Sequence, residues 1–148
     1  MKNTVALLLL LCTFGMKAQE INTKQGFAAE GYDVVAYFDG KALEGDKEMV
    51  TSYQGVNYAF ASQKNLKTFQ ANPSKFIPEY GGYCAYAIAT TGKKVGINPK
   101  AFQIKDGKLY LFYKTVFADT LEKWNEDDPD VLQEKADMNW EKIAMKKN

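Results

Sequence analysis

The chain has 148 residues, enough for one domain of ordinary size. Its 19 basic residues, all lysine, face 18 acidic ones for a formal charge of +1, and it contains neither arginine nor histidine. A Ser-His-Asp or Cys-His catalytic pair, a histidine-containing zinc or copper site within one chain, and an arginine fork for phosphate or guanine are thereby excluded. The near-neutral charge also argues against nucleic acid as a partner, because duplex binding needs a basic face. Aromatic residues make up 14% of the chain, enough to fill a core.

The first nineteen residues read as a secretory signal peptide. Lys2 is followed by an apolar run through Leu7–Leu11, then by Cys12–Gln19 with the small residue Ala18 near its end. The run is too short to span a bilayer, and cleavage after Ala18 or Gln19 gives a periplasmic or secreted protein. Cys12 raises lipid attachment as the lesser alternative, because Leu11 stands where a lipoprotein site wants a small residue. Removing residues 1–19 takes away Lys2 and Lys17, which brings the charge to −1 and leaves Cys84 as the single thiol. One thiol cannot form an internal disulfide.

Residues 20–30 read as a flexible lead-in, and residues 31–145 as one domain. Gly31–Phe38 is apolar and aromatic, closed by a turn at Asp39-Gly40. Val50–Gln54 and Val56–Phe60 alternate about Gly55 as a β-hairpin. Ser62 suits a helix N-cap, with a helix over about 63–71 burying Leu66 and Phe69 and stopping at Asn72-Pro73. Tyr80–Ala89 contains the pair Gly81-Gly82 and reads as a glycine-rich bend. Ala101–Lys105, Asp106-Gly107 and Lys108–Tyr113 form the clearest hairpin signal of the chain. A helix is expected over about 115–126 with Val116, Leu121 and Trp124 apolar, and a last one from Pro129, capped by Asp128. The expected fold class is α+β: a small single domain of two β-hairpins, the glycine-rich bend and about three helices.

The strings Gly31-Tyr32-Asp33, Phe60-Ala61-Ser62, Asn72-Pro73, Tyr80-Gly81-Gly82-Tyr83-Cys84-Ala85 and Asp106-Gly107-Lys108-Leu109-Tyr110-Leu111, with Trp124 and Trp140, occur in order. In these the stretch 31–140 resembles the exported branch of YHS-domain proteins. The resemblance implies a small α+β fold and a suspicion of metal handling. Related domains in heavy-metal pumps and sensors hold metal through cysteines, one of which follows the Phe of the second strand. Here that neighbourhood is Tyr58-Ala59-Phe60-Ala61-Ser62, without cysteine.

Cys84 is the main candidate site residue. As a thiolate at a bend it would bind a soft metal such as copper or undergo redox chemistry; as a packed residue it would be inert. Gly81, Gly82 and Tyr83 would shape its site, with Tyr80 and Asp33 as further ligand-binding candidates. Asp33 equally suits a turn or cap acceptor. Tyrosines 32, 37, 80, 83 and 86 either line a pocket or sit half-buried with their hydroxyls at the surface. Asp127, Asp128 and Asp130 lack the spacing of a calcium loop and fit helix capping. No acid–base pair stands at readable spacing, so no catalytic residue is assigned. The expectation is a non-catalytic binding domain whose partner is a small ligand, a metal ion or an envelope protein. The alternatives are a thiol redox protein using Cys84, and a structural or protein-interaction domain.

Overall fold

The computed structural model describes residues 20–146. Residues 1–19, on which the expected signal peptide and Cys12 fall, lie outside that range. Two sheets and four α-helices make a mixed α+β domain, as the sequence leads one to expect. The first sheet has the order β1-β2-β4-β3, with β1 Thr23–Lys24, β2 Phe27–Ala28, β3 Asp46–Tyr53 and β4 Val56–Phe60. The second is the hairpin of β5 Asn98–Lys105 and β6 Lys108–Phe112. The turns Gln25-Gly26, Gln54-Gly55 and Asp106-Gly107 all hold two consecutive residues at positive φ, the conformation that fits a tight hairpin to strand twist.

Helix α1 spans Gln63–Ala71, and the Ser62 hydroxyl accepts from the Asn65 amide at its start. Helix α2 spans Ala85–Thr91, α3 Thr120–Glu126 and α4 Pro129–Met145. Asp128 caps α4 through the amides of Asp130 and Val131, and Pro129 fills the first helical position. Asp119 caps α3 in the same way.

Three expectations are corrected. Residues 20–30 are not a loose lead-in: β1 pairs with β2, and Phe27 pairs in parallel with Asn57 of β4. Helix α2 was not anticipated, because Ala85–Thr91 offers only Cys84 at its N-cap position and no side chain caps it. Packing against α4 fixes it instead, with the Asn139 side-chain amide donating to the carbonyls of Ile88 and Ala89 at the end of α2. Helix α3 begins at Thr120 rather than near 115, so Val116 does not lie on its apolar face. Residues 115–118 form a loop tip on which Val116 and Phe117 stand 92% and 96% exposed.

The core has two parts. One gathers around Phe69, whose ring meets Tyr53, Tyr58, Phe60 and Phe76. The other holds Trp124 against Tyr110 and Phe112, with its indole N–H donating to Gln103. Burial drives both, at about 25 cal/mol per Å² of apolar surface removed from water.

Candidate functional site

The glycine-rich bend holds most of the sequence-chosen residues, and it uses its glycines against the chain itself. Tyr80, Gly81 and Gly82 are three consecutive residues at positive φ, of 53°, 61° and 76°. A Cβ on Gly81 would run into the carbonyl oxygen of Glu20 and stand 3.1 Å from the Trp140 ring. The Asn22 amide donates to the Gly81 carbonyl at 2.7 Å, and its side chain donates to the Gly82 carbonyl at 3.2 Å. The Glu20 carboxylate accepts from the Tyr83 hydroxyl and pairs with Lys94 at 2.6 Å. A close backbone approach at Gly81 is thus real, and the approaching group is the segment 20–22. Burial beside the Glu20 charge pushes the Tyr83 phenol up from its ordinary range.

Cys84 is fully buried. Its amide donates to the Val95 carbonyl, and its Sγ lies 3.3 Å from the Thr120 hydroxyl. Thr120 has a single O–H, which it donates to the Tyr113 carbonyl at 2.7 Å. The thiol is therefore the donor in the contact between them. This is the position of a small packed cysteine.

Asp33 is also fully buried, and its two oxygens accept four hydrogen bonds. Oδ1 takes the amides of Val35 and Ala36 at 2.9 and 3.1 Å. Oδ2 takes the Ala61 amide and the Asn65 side chain, both at 2.8 Å. The carboxylate thereby fastens the turn at 33–36 to the junction of β4 and α1. Every acceptor direction is used by the protein, which is the cap reading of this residue.

The tyrosines do not share one pocket. Tyr37 is enclosed and donates to the Pro99 carbonyl at 2.7 Å. Burial, with the charges of Glu30 and Asp33 nearby, holds its phenol far above the ordinary range. Tyr86 is half-buried with its hydroxyl on Asp127, and Tyr32 lines a separate cleft near Lys24 and Glu30. Tyr80 is buried and donates to Asp137 at 2.8 Å; burial first, and that bond second, drive its phenol well above the ordinary range.

Tyr80 also lines a groove of about 250 Å³, together with Tyr53, Ile77, Pro78, Glu79 and Trp140. The turn after β3, the bend 77–80 and α4 each supply a wall. Glu79 is half-buried, and its carboxylate makes no hydrogen bond or ion pair among the described residues. Burial raises its pKa, Asp137 adds to the rise and Lys108 opposes it. Sequence reasoning missed Tyr53, Glu79 and Trp140 as partners in one site. A signal was present: Glu79 is the only charged residue between Lys75 and Lys93, set in an aromatic and glycine-rich run.

Residues 34–80 match the family model of the YHS domain. The match covers the turn after Asp33, the β3–β4 hairpin, α1 and the bend as far as Tyr80. Gly81–Ala85 and the elements after it lie beyond it. Comparison with curated proteins and with solved structures found no significant match. The described residues do not fit the metal that the resemblance implies. Cys84 has one polar side-chain neighbour, a hydroxyl already spent on a carbonyl, and no group of three or more acidic or cysteine side chains placed to hold a metal occurs among the described residues. No helix among the described residues is long and apolar enough to cross a membrane.

Proposed function

We propose that the protein is a small non-catalytic binding domain of the YHS type that works outside the cytoplasm, and that its ligand occupies the groove between Tyr53, Glu79 and Trp140 rather than the surroundings of Cys84. One contrast carries this reading: the thiol is enclosed, whereas the groove is open, partly aromatic and furnished with a carboxylate that has no hydrogen bond or ion pair among the described residues. Apolar and aromatic walls with a few polar groups are the usual make-up of a small-molecule site. The cleft near Lys24 is less suited, because Lys24 and Glu30 already pair at 3.2 Å on its rim. Export is supported by the tripartite pattern of residues 1–19.

The test is chemical-shift mapping of the purified, processed protein against a library of small fragments. Shifts gathered on Tyr53, Glu79, Tyr80 and Trp140 are expected. A library that moves none of these, or that moves Cys84 and Thr120 instead, overturns the reading. Soft metal through Cys84 is read in the same sample: Cu(I), Ag(I) and Zn(II) are expected to leave the melting temperature unchanged, since a ligand that prefers the folded state must raise it.

A second reading, an interaction domain, has one observation in its favour. Val116 and Phe117 stand almost fully exposed on a loop held by the Thr115 amide on the Ala118 carbonyl and by the Lys114–Asp119 ion pair. A photo-crosslinking residue at position 117 that captures no envelope protein removes it.

A further inference from the structure

The geometry points to a small organic ammonium ion as the ligand of this groove. The inference rests on the reading of the groove as the binding site and deepens it. Two half-buried rings, Tyr53 and Trp140, line the groove alongside Gln54 and Ser74, while the third aromatic lining residue, Tyr80, is only 2% exposed. The one ionisable carboxyl lining the groove, Glu79, is half-buried and lacks a hydrogen-bond or ion-pair partner among the described residues. A half-buried carboxylate without a partner is unfavourable, and a bound cation removes that cost. Aromatic faces attract a cation and exclude water from it, each contact contributing about 0.5–2 kcal/mol. Together these features offer a cation two aromatic side chains and one counter-charge.

The groove's size sets the scale of the ligand. A groove of about 250 Å³ has room for an ammonium carrying a few carbons. The lysines do not fill this role from within the protein. Lys108 acts on Glu79 from a distance without pairing, and Lys105 is committed to Asp130 at 2.6 Å.

The experiment is thermal unfolding of the processed protein at neutral pH with about 10 mM butylammonium or tetramethylammonium chloride. Sodium chloride at equal ionic strength and tert-butanol serve as controls. For a dissociation constant of about 1 mM the melting temperature should rise by about 4 °C or more. The controls should leave it unchanged, and Glu79→Gln should abolish the rise. Butylammonium acting without tetramethylammonium would assign a primary amine, and the reverse a quaternary one. A rise that persists in the Glu79→Gln variant, or no rise with either cation, overturns the proposal. Failure of the cation alone stays separable from failure of the groove: neutral or anionic fragments that still shift Tyr53 and Trp140 keep the groove and discard the ammonium.

Discussion

Replacing Asp33 by asparagine tests the buried carboxylate most directly. Four donors converge on it: the amides of Val35, Ala36 and Ala61 and the side chain of Asn65. The isosteric amide has one oxygen, which can keep Val35 and Ala36. Its NH₂ then faces the Ala61 amide and the Asn65 side chain, donor against donor. Asn65 can turn its carbonyl inward, but the Ala61 N–H cannot turn and is stranded. A stranded buried donor costs about 1–3 kcal/mol, and losing the charge on the two surviving bonds costs about 1 kcal/mol more. The expected loss is about 3 kcal/mol, or roughly 10 °C in melting temperature for a domain of this size. Asn65→Ala removes one donor of the four and should cost about 1–2 kcal/mol. Urea titration followed by tryptophan fluorescence measures both changes, with an unaltered slope if the unfolded state is unaffected. An Asp33→Asn loss below about 1 kcal/mol, or one smaller than that of Asn65→Ala, refutes the idea that this carboxylate clamps the fold.

The remaining expectations concern the bend, the thiol, the groove and the leader. Gly81→Ala should destabilise by about 3 kcal/mol and expose residues 20–22 to proteolysis, because its Cβ meets the Glu20 carbonyl at positive φ; Gly82→Ala, whose nearest contact is an ordinary 3.7 Å, should cost only about 1 kcal/mol, and equal losses would contradict the packing. Cys84 should resist a chromogenic disulfide reagent until denaturant is added; rapid native reaction would show an open thiol. Glu79 has a folded pKa above its unfolded value, so its contribution to stability is full at acid pH and is lost as pH rises through the folded value. Glu79→Gln should therefore raise the melting temperature at pH 7 relative to wild type, and this gain should vanish near pH 4; a gain independent of pH would mean that burial of the charge is not its cause. Intact mass of the protein from the envelope should show a chain beginning at Gln19 or Glu20, and a mass that includes residues 1–19 or an acyl group would count against a cleaved, unlipidated protein.

What was legible in the sequence was local. The Asp106-Gly107 turn, the Ser62 cap and the Asp128-Pro129 start each have causes lying within four residues, so a window of sequence contains them. Helix α2 was not legible, since Tyr86, Ile88 and the threonines favour extended chain and the helix is held by Asn139, about fifty residues away. Residues 20–30 misled for the same reason: Asn22 finds its partners at Gly81 and Gly82, and Phe27 finds Asn57. The bend itself was recognised, but sequence could not say that its glycines receive the chain's own backbone. The groove was the least legible feature, because its walls come from residues 53, 77–80 and 140, and no motif spans that distance.

The meeting of Glu20, Gly81 and Trp140 has a consequence for how the chain reaches its final state. Synthesis delivers residue 20 before α4. The first described residue and the last helix converge on one glycine in the middle of the chain, so the early segment has no complete seat until Trp140 has emerged. Completion of this seat therefore waits for α4, whereas the rings around Phe69 come from residues 53–76 alone. The same proximity of the two ends makes the molecule a natural subject for circular permutation: joining them by a short linker and cutting at the exposed 115–118 tip would carry the entire seat in one continuous segment.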